Sequence, residues 1–539
     1  MGRLYYKKGD VDMFRKIKKR LRLGNQQDNI DTIYTGIDEP LPRNIERVKE
    51  RLNEIFSECS DYIQREIVCG EDGCIRILVS YIEGLVDRSI LNQDVVRPIL
   101  DYFSSVEAQD KAKRVYQLIK ERVISNNEVE EVQSMQQVVY KIVSGDAVLF
   151  VDGSKSALVV GVKAPQGRQV EEPDTEVSIR GPREGFVENL ATNMVLIRKR
   201  IKTPNLKFEM MQLGIQTKTD ICICYIKGIA NEEIVKEVRK RVKKIRGDAI
   251  LDTGYIEQYI TDNRLTLFPI VGNSEKCDKL VAKLLEGRVA ILCDGTPYVI
   301  TVPHLFIESI QTSDDYYDHA FFASFMRVLR FLALLISNLL PAMYVALVSF
   351  HHTVIPFKLI ITLAASRQGI PFSPFVEALL MLAAFELLRE AGVRMPRTIG
   401  QALSIVGAIV LGEASVRAGI ASNLMVIIIA ITAICSFVVP PLIRATMLLR
   451  FVFLIAANFL GFLGISFVAV AVIIHLCRLR SFGIPYMAPF SPLTATDLKD
   501  SIIMVPIWAM ITRPKILFQE DTRGTVGIKR REVNKIGEG

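Results

Sequence analysis

The sequence predicts two parts of different fold class: an α/β domain of two subdomains at the N-terminus, and a polytopic membrane domain of about four to six α-helices after it. Helix and strand patterns alternate up to about residue 318. Three long apolar runs without a charged side chain follow, at Phe331–Phe350, Gly419–Val439 and Phe451–Leu476. Charge divides at the same place: residues 1–318 hold 47 Lys and Arg against 49 Asp and Glu, whereas residues 319–539 hold 20 against 10.

The first subdomain is predicted from local patterns that begin after a polar, basic arm. Ile45–Ile55 has apolar side chains at helical spacing, and Val95–Val123 is also interpreted as helical. Between them, Arg65–Cys69 and Cys74–Ser80 alternate as two strands of a hairpin. These elements form the first α/β subdomain.

The second subdomain contains two segments of similar sequence. The segments SGDAVLFVDGSKSALVV (144–160) and EGRVAILCDGTPYVITV (286–302) align at an offset of 142 residues. In both, hydrophobic strands meet across an Asp-Gly turn, which is typical of a tight hairpin. Two interpretations stay open: equivalent hairpins of one sheet that arose by duplication, or two ordinary turns that coincide.

A basic helix raises the question of nucleic acid. Asp220–Ile226 is predicted to be a strand, and Asn231–Ile245 a helix with Asn231 as its N-cap. This helix carries six Lys and Arg and is followed by Arg246, but an apolar stripe favours a helix docked on the core with a solvated basic face. Because the front half has a net charge of −2, we expect no nucleic-acid partner.

No pattern in the sequence predicts catalysis or a prosthetic group. Neither a Walker loop nor G-x-G-x-x-G occurs, and the nine cysteines and five histidines have no metal-ligand spacing. We therefore expect no enzyme, no cofactor and no metal site.

The apolar runs identify an integral membrane protein. About 20 helical residues cross a hydrocarbon core of about 30 Å, and the runs hold 20, 21 and 26 residues. Two shorter segments accompany them. Pro374–Ala391, with Ser373 as N-cap and Gly392 as its stop, can just span the membrane, whereas Ile399–Gly412 is short enough to be re-entrant.

The loops predict that both termini are cytoplasmic, because residues 478–539 hold ten Lys and Arg and two arginines precede the first run. An even number of crossings follows, although basic loops between the spans conflict with this rule. The predicted domains are a flexible basic arm (1–40), subdomain 1 (41–140), α/β subdomain 2 (141–318), the transmembrane helical domain (319–480) and a cytoplasmic basic tail (481–539).

Polar side chains within the membrane segments are the candidate functional residues, since such groups are expensive in lipid and face a cavity or a partner. As lining of a cation path or as coupling residues we predict Asn338, Glu377, Glu386, Arg389, Glu390 and Glu413. The competing interpretation is that they cap helices or hold helix packing through hydrogen bonds. Four to six helices are few for a self-contained transporter, so oligomerisation is expected to supply further walls.

A series of motifs occurs in one order over both halves of the chain. They are RGPREGFVEN (180–189), LIRKR (196–200), GRVAILCDGTP (287–297), DDYY (314–317), RVLRF (327–331), PFSPFVEALLMLAAFELLREAGVRMP (371–396) and SFGIPYMAP (481–489). Together they resemble the GerA family, the A subunits of spore germinant receptors, from about residue 140 to 490.

The resemblance implies a multi-pass subunit of the inner spore membrane that works with a permease-like B subunit and a lipoprotein C subunit. It also implies a homo-oligomer, a pentamer, that forms a cation-conducting pore opened by a germinant. The similar stage V sporulation AF branch, an accessory that amplifies ion release, is an alternative. A non-conducting membrane scaffold that only docks partners is another.

Overall fold

The computed structural model describes residues 37–514 except for 38, 71–74, 105–111, 125–128, 165–171, 174–175, 177, 396–406, 408–411, 495–496 and 511–512. The predicted basic arm therefore lies almost wholly outside the described residues. The same holds for nearly all of the predicted short membrane segment 399–412 and for residues 515–539.

The first unit of the soluble part is a five-stranded antiparallel sheet with helices on both faces. Its strands are β1 (Tyr62–Cys69), β2 (Ile75–Ile82), β3 (Val129–Val132), β4 (Ala147–Val151) and β5 (Ala157–Val160), in the order β1-β2-β4-β5-β3. Its helices are α1 (Ile45–Ile55), α2 (Arg97–Ser104), α3 (Ala112–Leu118) and α4 (Met135–Val143), with shorter helical stretches at Arg88–Ile90, Leu91–Val96 and Ile119–Val123. Helices α1 and α4 cover one face, and the helical residues of 91–103 and 115–119 cover the other.

The second unit repeats this plan. Its strands are β6 (Leu206–Leu213), β7 (Thr219–Ile226), β8 (Gly272–Ser274), β9 (Val289–Cys293) and β10 (Val299–Val302), in the order β6-β7-β9-β10-β8. Its helices are α5 (Leu190–Arg200), α6 (Glu232–Lys243), α7 (Thr253–Ile260) and α8 (Cys277–Leu285). Helices α5 and α8 cover one face, and α6 and α7 cover the other.

The two similar sequence segments correspond to a repeated arrangement of helices and strands. Helices α4 and α8 begin 142 residues apart, at positions 135 and 277, and strands β4 and β9 at 147 and 289 keep the same offset. The Asp-Gly turns make the same contact in both units. Asp152 Oδ1 accepts from the Ile45 amide at the start of α1, and Asp294 Oδ1 accepts from the Leu190 amide at the start of α5, each at 3.0 Å.

Two details of the sequence interpretation are wrong. The equivalent hairpins lie in two separate sheets, not in one, because β4 pairs with β2 whereas β9 pairs with β7. The boundary at residue 140 consequently falls inside α4, and the first unit continues through Val160. Those pairings join distant segments, so local pattern did not contain them.

The basic helix α6 is docked on the core. Asn231 caps it by accepting from the Glu233 amide at 2.9 Å, and the predicted apolar stripe is buried against the second sheet. On its basic face, Arg239 pairs with Glu209, and Arg241 pairs with Asp262 at 2.6 Å.

The C-terminal half is helical, as predicted. Its helices are α9 (Ala320–Ser349), α10 (Phe357–Ser366), α11 (Pro374–Arg394), α12 (Asn423–Phe437), α13 (Ile443–Leu460) and α14 (Phe462–Arg478). In the described part of the chain, Ala320–Ser349 and Pro440–Leu460 are long and apolar enough to cross a membrane, with mean hydropathies of 2.1 and 1.7. Shorter apolar helices accompany them at Phe357–Ser366, Asn423–Phe437 and Phe462–Arg478.

Two predicted helix bounds need correction. The run Phe451–Leu476 is not one span, because Gly461, with a φ of 57°, separates α13 from α14. Helix α11 does begin after Ser373, whose hydroxyl accepts from the Val376 amide at 3.4 Å, but it passes Gly392 and ends at Arg394.

The first membrane helix is central to the bundle and is bound to the soluble part. Helix α9 packs against α11, α12, α13 and α14. The predicted basic tail begins as folded structure, since Arg480–Ser481 pairs with Ile484–Pro485 and Tyr486 is fully buried under the bundle. The segment 497–510 then returns to the base of α9, where Met504 and Met510 pack on Ala323.

Candidate functional site

A buried ion network joins the soluble part to the first membrane helix. Arg327, on the third turn of α9, is fully buried. Its Nε donates to Asp315 Oδ2 at 3.0 Å, and its Nη1 donates to Asp500 Oδ1 at 2.8 Å. Arg330, one turn further, donates to the same Asp315 oxygen at 2.8 Å. The end of the soluble part, the start of α9 and the distant C-terminal segment therefore meet at one point, which we call the base network.

The two carboxylates of the base network differ in their electrostatics. Burial alone would raise the pKa of Asp315, but the hydrogen bond from Arg330 and the charges of Arg330 and Arg327 outweigh it and lower that pKa. At Asp500 burial outweighs Arg327, and the pKa of this carboxyl is raised. Tyr316 also donates its hydroxyl to Asp500, at 2.7 Å. Asp315 is thus the firmly charged partner of the arginines.

A second network lies inside the helical bundle. Glu386 of α11 accepts from Arg450 of α13 at 3.1 Å and pairs with Arg389, one turn along its own helix, at 2.5 Å. Arg450 is almost fully buried, and its Nε donates to the Ser337 carbonyl oxygen of α9 at 2.9 Å. This bundle network ties three helices together by charge-assisted hydrogen bonds.

A third buried carboxylate, Glu377, fixes the start of α12. Its Oε1 accepts from the amide and the hydroxyl of Ser422, at 2.7 and 2.5 Å, and its Oε2 accepts from Arg367 at 3.1 Å. Ser422 is the N-cap of α12, so a negative charge lies where the helix dipole favours it.

The structure separates the six predicted residues into two groups. Glu377, Glu386 and Arg389 belong to the buried networks, and Asn338 is bound to the Leu334 carbonyl oxygen of its own helix at 2.8 Å. Glu390 and Glu413 are exposed and pair with arginines one turn along their own helices.

This placement decides which of the six can face a path between copies of the chain. A side chain buried inside one copy cannot lie on the surface where copies meet. Glu377 and Glu386 are therefore enclosed within one copy of the chain, whereas Glu390 and Glu413 remain on its outer surface.

Several partners in these networks were missed as functional residues by sequence reasoning. They are Asp315, Arg367, Ser422, Arg450 and Asp500. One signal was present: an arginine that interrupts an apolar helix, as Arg450 does, needs a buried acidic partner. Which acid it binds depends on how distant helices pack, so local pattern could not name Glu386.

Among the described residues, no group of three or more His, Cys, Asp or Glu is arranged so that it could hold a metal ion.

Comparison with known proteins identifies the family. The model of the Bacillus/Clostridium GerA spore germination protein matches residues 50–516. Spore germination protein KA of Bacillus subtilis (strain 168) is 42% identical over 487 residues, which are 90% of this chain and 88% of that protein. Spore germination protein GerLA of Bacillus cereus is 37% identical over 484 residues, 89% of this chain and 97% of that protein.

A membrane protein and a solved structure are also similar. The uncharacterized membrane protein YfkQ of Bacillus subtilis (strain 168) is 40% identical over 480 residues, 88% of this chain and 92% of that protein. The crystal structure of the N-terminal domain of the A subunit of the Bacillus megaterium spore germinant receptor GerK3 matches with 33% identity and a TM-score of 0.40, over 50% of this chain and 98% of that chain. The family model matches residues 50–516, and the spore germination proteins KA and GerLA match over most of their own length and of this chain, so the chain belongs to the GerA family of spore germination proteins.

Proposed function

We propose that this chain is the A subunit of a nutrient germinant receptor, and that copies of it assemble in the spore inner membrane, as a pentamer, into a ligand-gated channel that releases cations. Its proposed partners are a permease-like B subunit and a lipoprotein C subunit, with both termini of the chain in the cytoplasm. No catalytic step is required. Membership of the GerA family supports the role in germination.

The distribution of carboxylates carries the channel proposal. Inside the described bundle, Glu377 and Glu386 are each neutralised by an arginine, so a single copy offers cations no free interior carboxylate there. The carboxylates of Glu390 and Glu413 lie instead on the outside of the helices, where their pairs with Arg394 and Arg417 are exposed and therefore weak. An ion path with acidic walls therefore needs a surface between copies.

Exposed charge on these helices supports an assembled state. The pair Glu390–Arg394 has exposed fractions of 61% and 78%, and the pair Glu413–Arg417 has 57% and 78%. Charged groups that face lipid are expensive, whereas a hydrated contact between copies keeps them in water. Oligomerisation would thus remove an energetic penalty that an isolated copy carries.

The base network supplies the coupling in this proposal. A movement of the soluble part displaces Asp315 and Asp500, and through Arg327 it displaces the central helix α9. A ligand opens such a channel only in so far as it binds the open state more tightly than the closed state.

The test is cation efflux from liposomes that contain the full chain with its B and C subunits. Liposomes loaded with K⁺ receive single L-amino acids, glucose or inosine as probes. We expect one probe to start K⁺ efflux, and E390Q and E413Q to slow that efflux without loss of assembly. The matched control, E232Q on the exposed start of α6, should leave efflux unchanged.

A non-conducting scaffold predicts another result. Labelling of cysteines placed singly along 376–390 would show no water-accessible stripe, and probe-dependent efflux would persist when this chain is omitted. A chain of the stage V sporulation AF type would be encoded without adjacent genes for a permease-like protein and a lipoprotein, which distinguishes it from a receptor subunit.

A further inference from the structure

A loop of the soluble part exposes two leucines beside the last membrane helix. The loop, residues 263–267, follows α7 and is shaped by Asn263, whose Oδ1 accepts from the Leu265 amide at 3.0 Å. Leu265 is 92% exposed and Leu267 is 43% exposed. Such a pair of leucines at a loop tip lowers solubility unless something covers it.

Contacts fix the loop at one level of α14. Thr266 Oγ1 lies 3.1 Å from His475 Nε2, and the Phe268 ring lies 6.2 Å from the His475 ring. Directly after the loop, Phe268 and Ile270 enter the same apolar cluster as Leu476 and Leu479. The loop is therefore anchored at the last turn of α14.

The part of α14 next to this anchor has exposed apolar side chains. Ile473 and Ile474, just before His475, have exposed fractions of 57% and 62%, and Val470 is 54% exposed. In a membrane-spanning helix these side chains contact lipid. Because Thr266 lies between the two exposed leucines and contacts His475, lipid around this end of α14 is the occupant that the loop would meet.

Three exposed arginines lie in the loop and at the end of α14. Arg264 is in the loop, Arg478 is the last residue of α14, and Arg480 lies two residues further on; all three form no ion pair with the described residues. The arginines of the base and bundle networks are paired instead. Leucines with neighbouring free arginines are the composition of a surface that enters the boundary between acyl chains and anionic headgroups.

We propose that loop 263–267 is a membrane-docking wedge. It places Leu265 and Leu267 in the leaflet on the side of the soluble part, while Arg264, Arg478 and Arg480 bind anionic lipid headgroups. The second unit of the soluble domain is then held against the bilayer by its own contact, in addition to the covalent link to α9. The proposal rests on α14 lying in the membrane and not on the proposed receptor function.

The test uses tryptophan fluorescence of the full chain in vesicles of brominated phosphatidylcholine and phosphatidylglycerol. The sequence has one tryptophan, Trp508, so W508F removes the background. In that variant, L265W reports on the loop. The matched control is I215W, which is 68% exposed in the native chain and follows β6. Strand register places the turn that contains Ile215 near Cys293. This is the end of the second sheet opposite to Val302, from which the chain continues to α9.

We expect the emission of L265W to be shifted to the blue and quenched several-fold more by brominated lipid than that of I215W. Removing phosphatidylglycerol, or adding R478Q and R480Q, should reduce the quenching. Equal, weak quenching of both tryptophans would overturn the proposal. A blue-shifted L265W without quenching would overturn it too, because protein, such as a second copy, would then cover the loop. Far-ultraviolet circular dichroism matching the W508F parent confirms that each variant is folded.

Discussion

Arg327 and Asp315 share a buried ion pair of 3.0 Å across the point where the soluble part becomes the first membrane helix. Asp500, in the C-terminal segment, forms a second ion pair with the same guanidinium. Because the arginine is fully buried, these two acids have to compensate its charge. The orientation of α9 relative to the soluble domain is therefore set by charge as well as by apolar packing.

Removal of the Arg327 charge should destabilise the chain strongly. R327Q leaves the buried carboxylate of Asp315 and the half-buried carboxylate of Asp500 with less compensation, and the loss of one partner from a buried pair costs about 3–5 kcal/mol. Thermal unfolding of the full chain in detergent measures the effect. R97Q, which breaks an exposed pair, is the control and should cost less than about 1 kcal/mol. Equal midpoints for both variants would contradict a structural role of the base network.

The bundle network predicts an asymmetry between its members. E386Q deprives both Arg450 and Arg389 of their counter-ion, whereas R450M leaves Glu386 paired with Arg389. We therefore expect E386Q to lower the thermal midpoint more than R450M does. The double variant E386Q/R450M should have a higher thermal midpoint than E386Q, because no arginine on α13 is then buried without an acid. If R450M is the more damaging change, the arrangement of charges described above is wrong.

Local signals in the sequence were reliable where a residue acts on its own segment. Helix Ile45–Ile55 and the caps Asn231 and Ser373 were predicted from such signals and are observed. What could not be predicted depends on distant partners. The pairing of β4 with β2 and the end of α13 at Gly461 belong to this class.

The candidate site shows the same division. Glu386 was found because a carboxylate within an apolar segment is conspicuous. Asp500 lies in a segment that reads as a basic tail, and nothing near it in sequence indicates that it returns to Arg327. Exposure also had to be observed, since Glu377 and Glu390 look alike in sequence but only one of them reaches the surface.

A buried acid in the soluble part predicts a dependence of stability on pH. Burial alone would raise the pKa of Glu308, but the charges of Arg288, at 2.5 Å, and Lys283, at 2.9 Å, outweigh it and hold that pKa well below 4.5. In the unfolded chain the carboxyl binds a proton near its ordinary pKa, so the unfolded state binds more protons between the two values.

The folded state should therefore lose stability as pH falls below about 4.5 towards the depressed pKa of Glu308. Denaturation midpoints measured between pH 6 and pH 3 test this. In E308Q the stability is lower at neutral pH, and its decline with falling pH is shallower. A slope that is identical in E308Q and the parent would show that other groups produce the acid sensitivity.

Gly461 forms the break between α13 and α14, and its replacement should disturb that break. Its backbone, with φ 57° and ψ −134°, is a conformation that side chains with a Cβ rarely adopt, at a cost of about 1–3 kcal/mol. A Cβ there would also lie 2.8 Å from the His351 ring. We expect G461A to lower the thermal midpoint of the full chain in detergent. G412A, whose added Cβ lies no closer than 3.7 Å to any described residue, should be neutral or slightly stabilising because alanine favours a helix. A G461A protein as stable as G412A would mean that α13 and α14 tolerate a continuous helix, as the apolar run alone suggested.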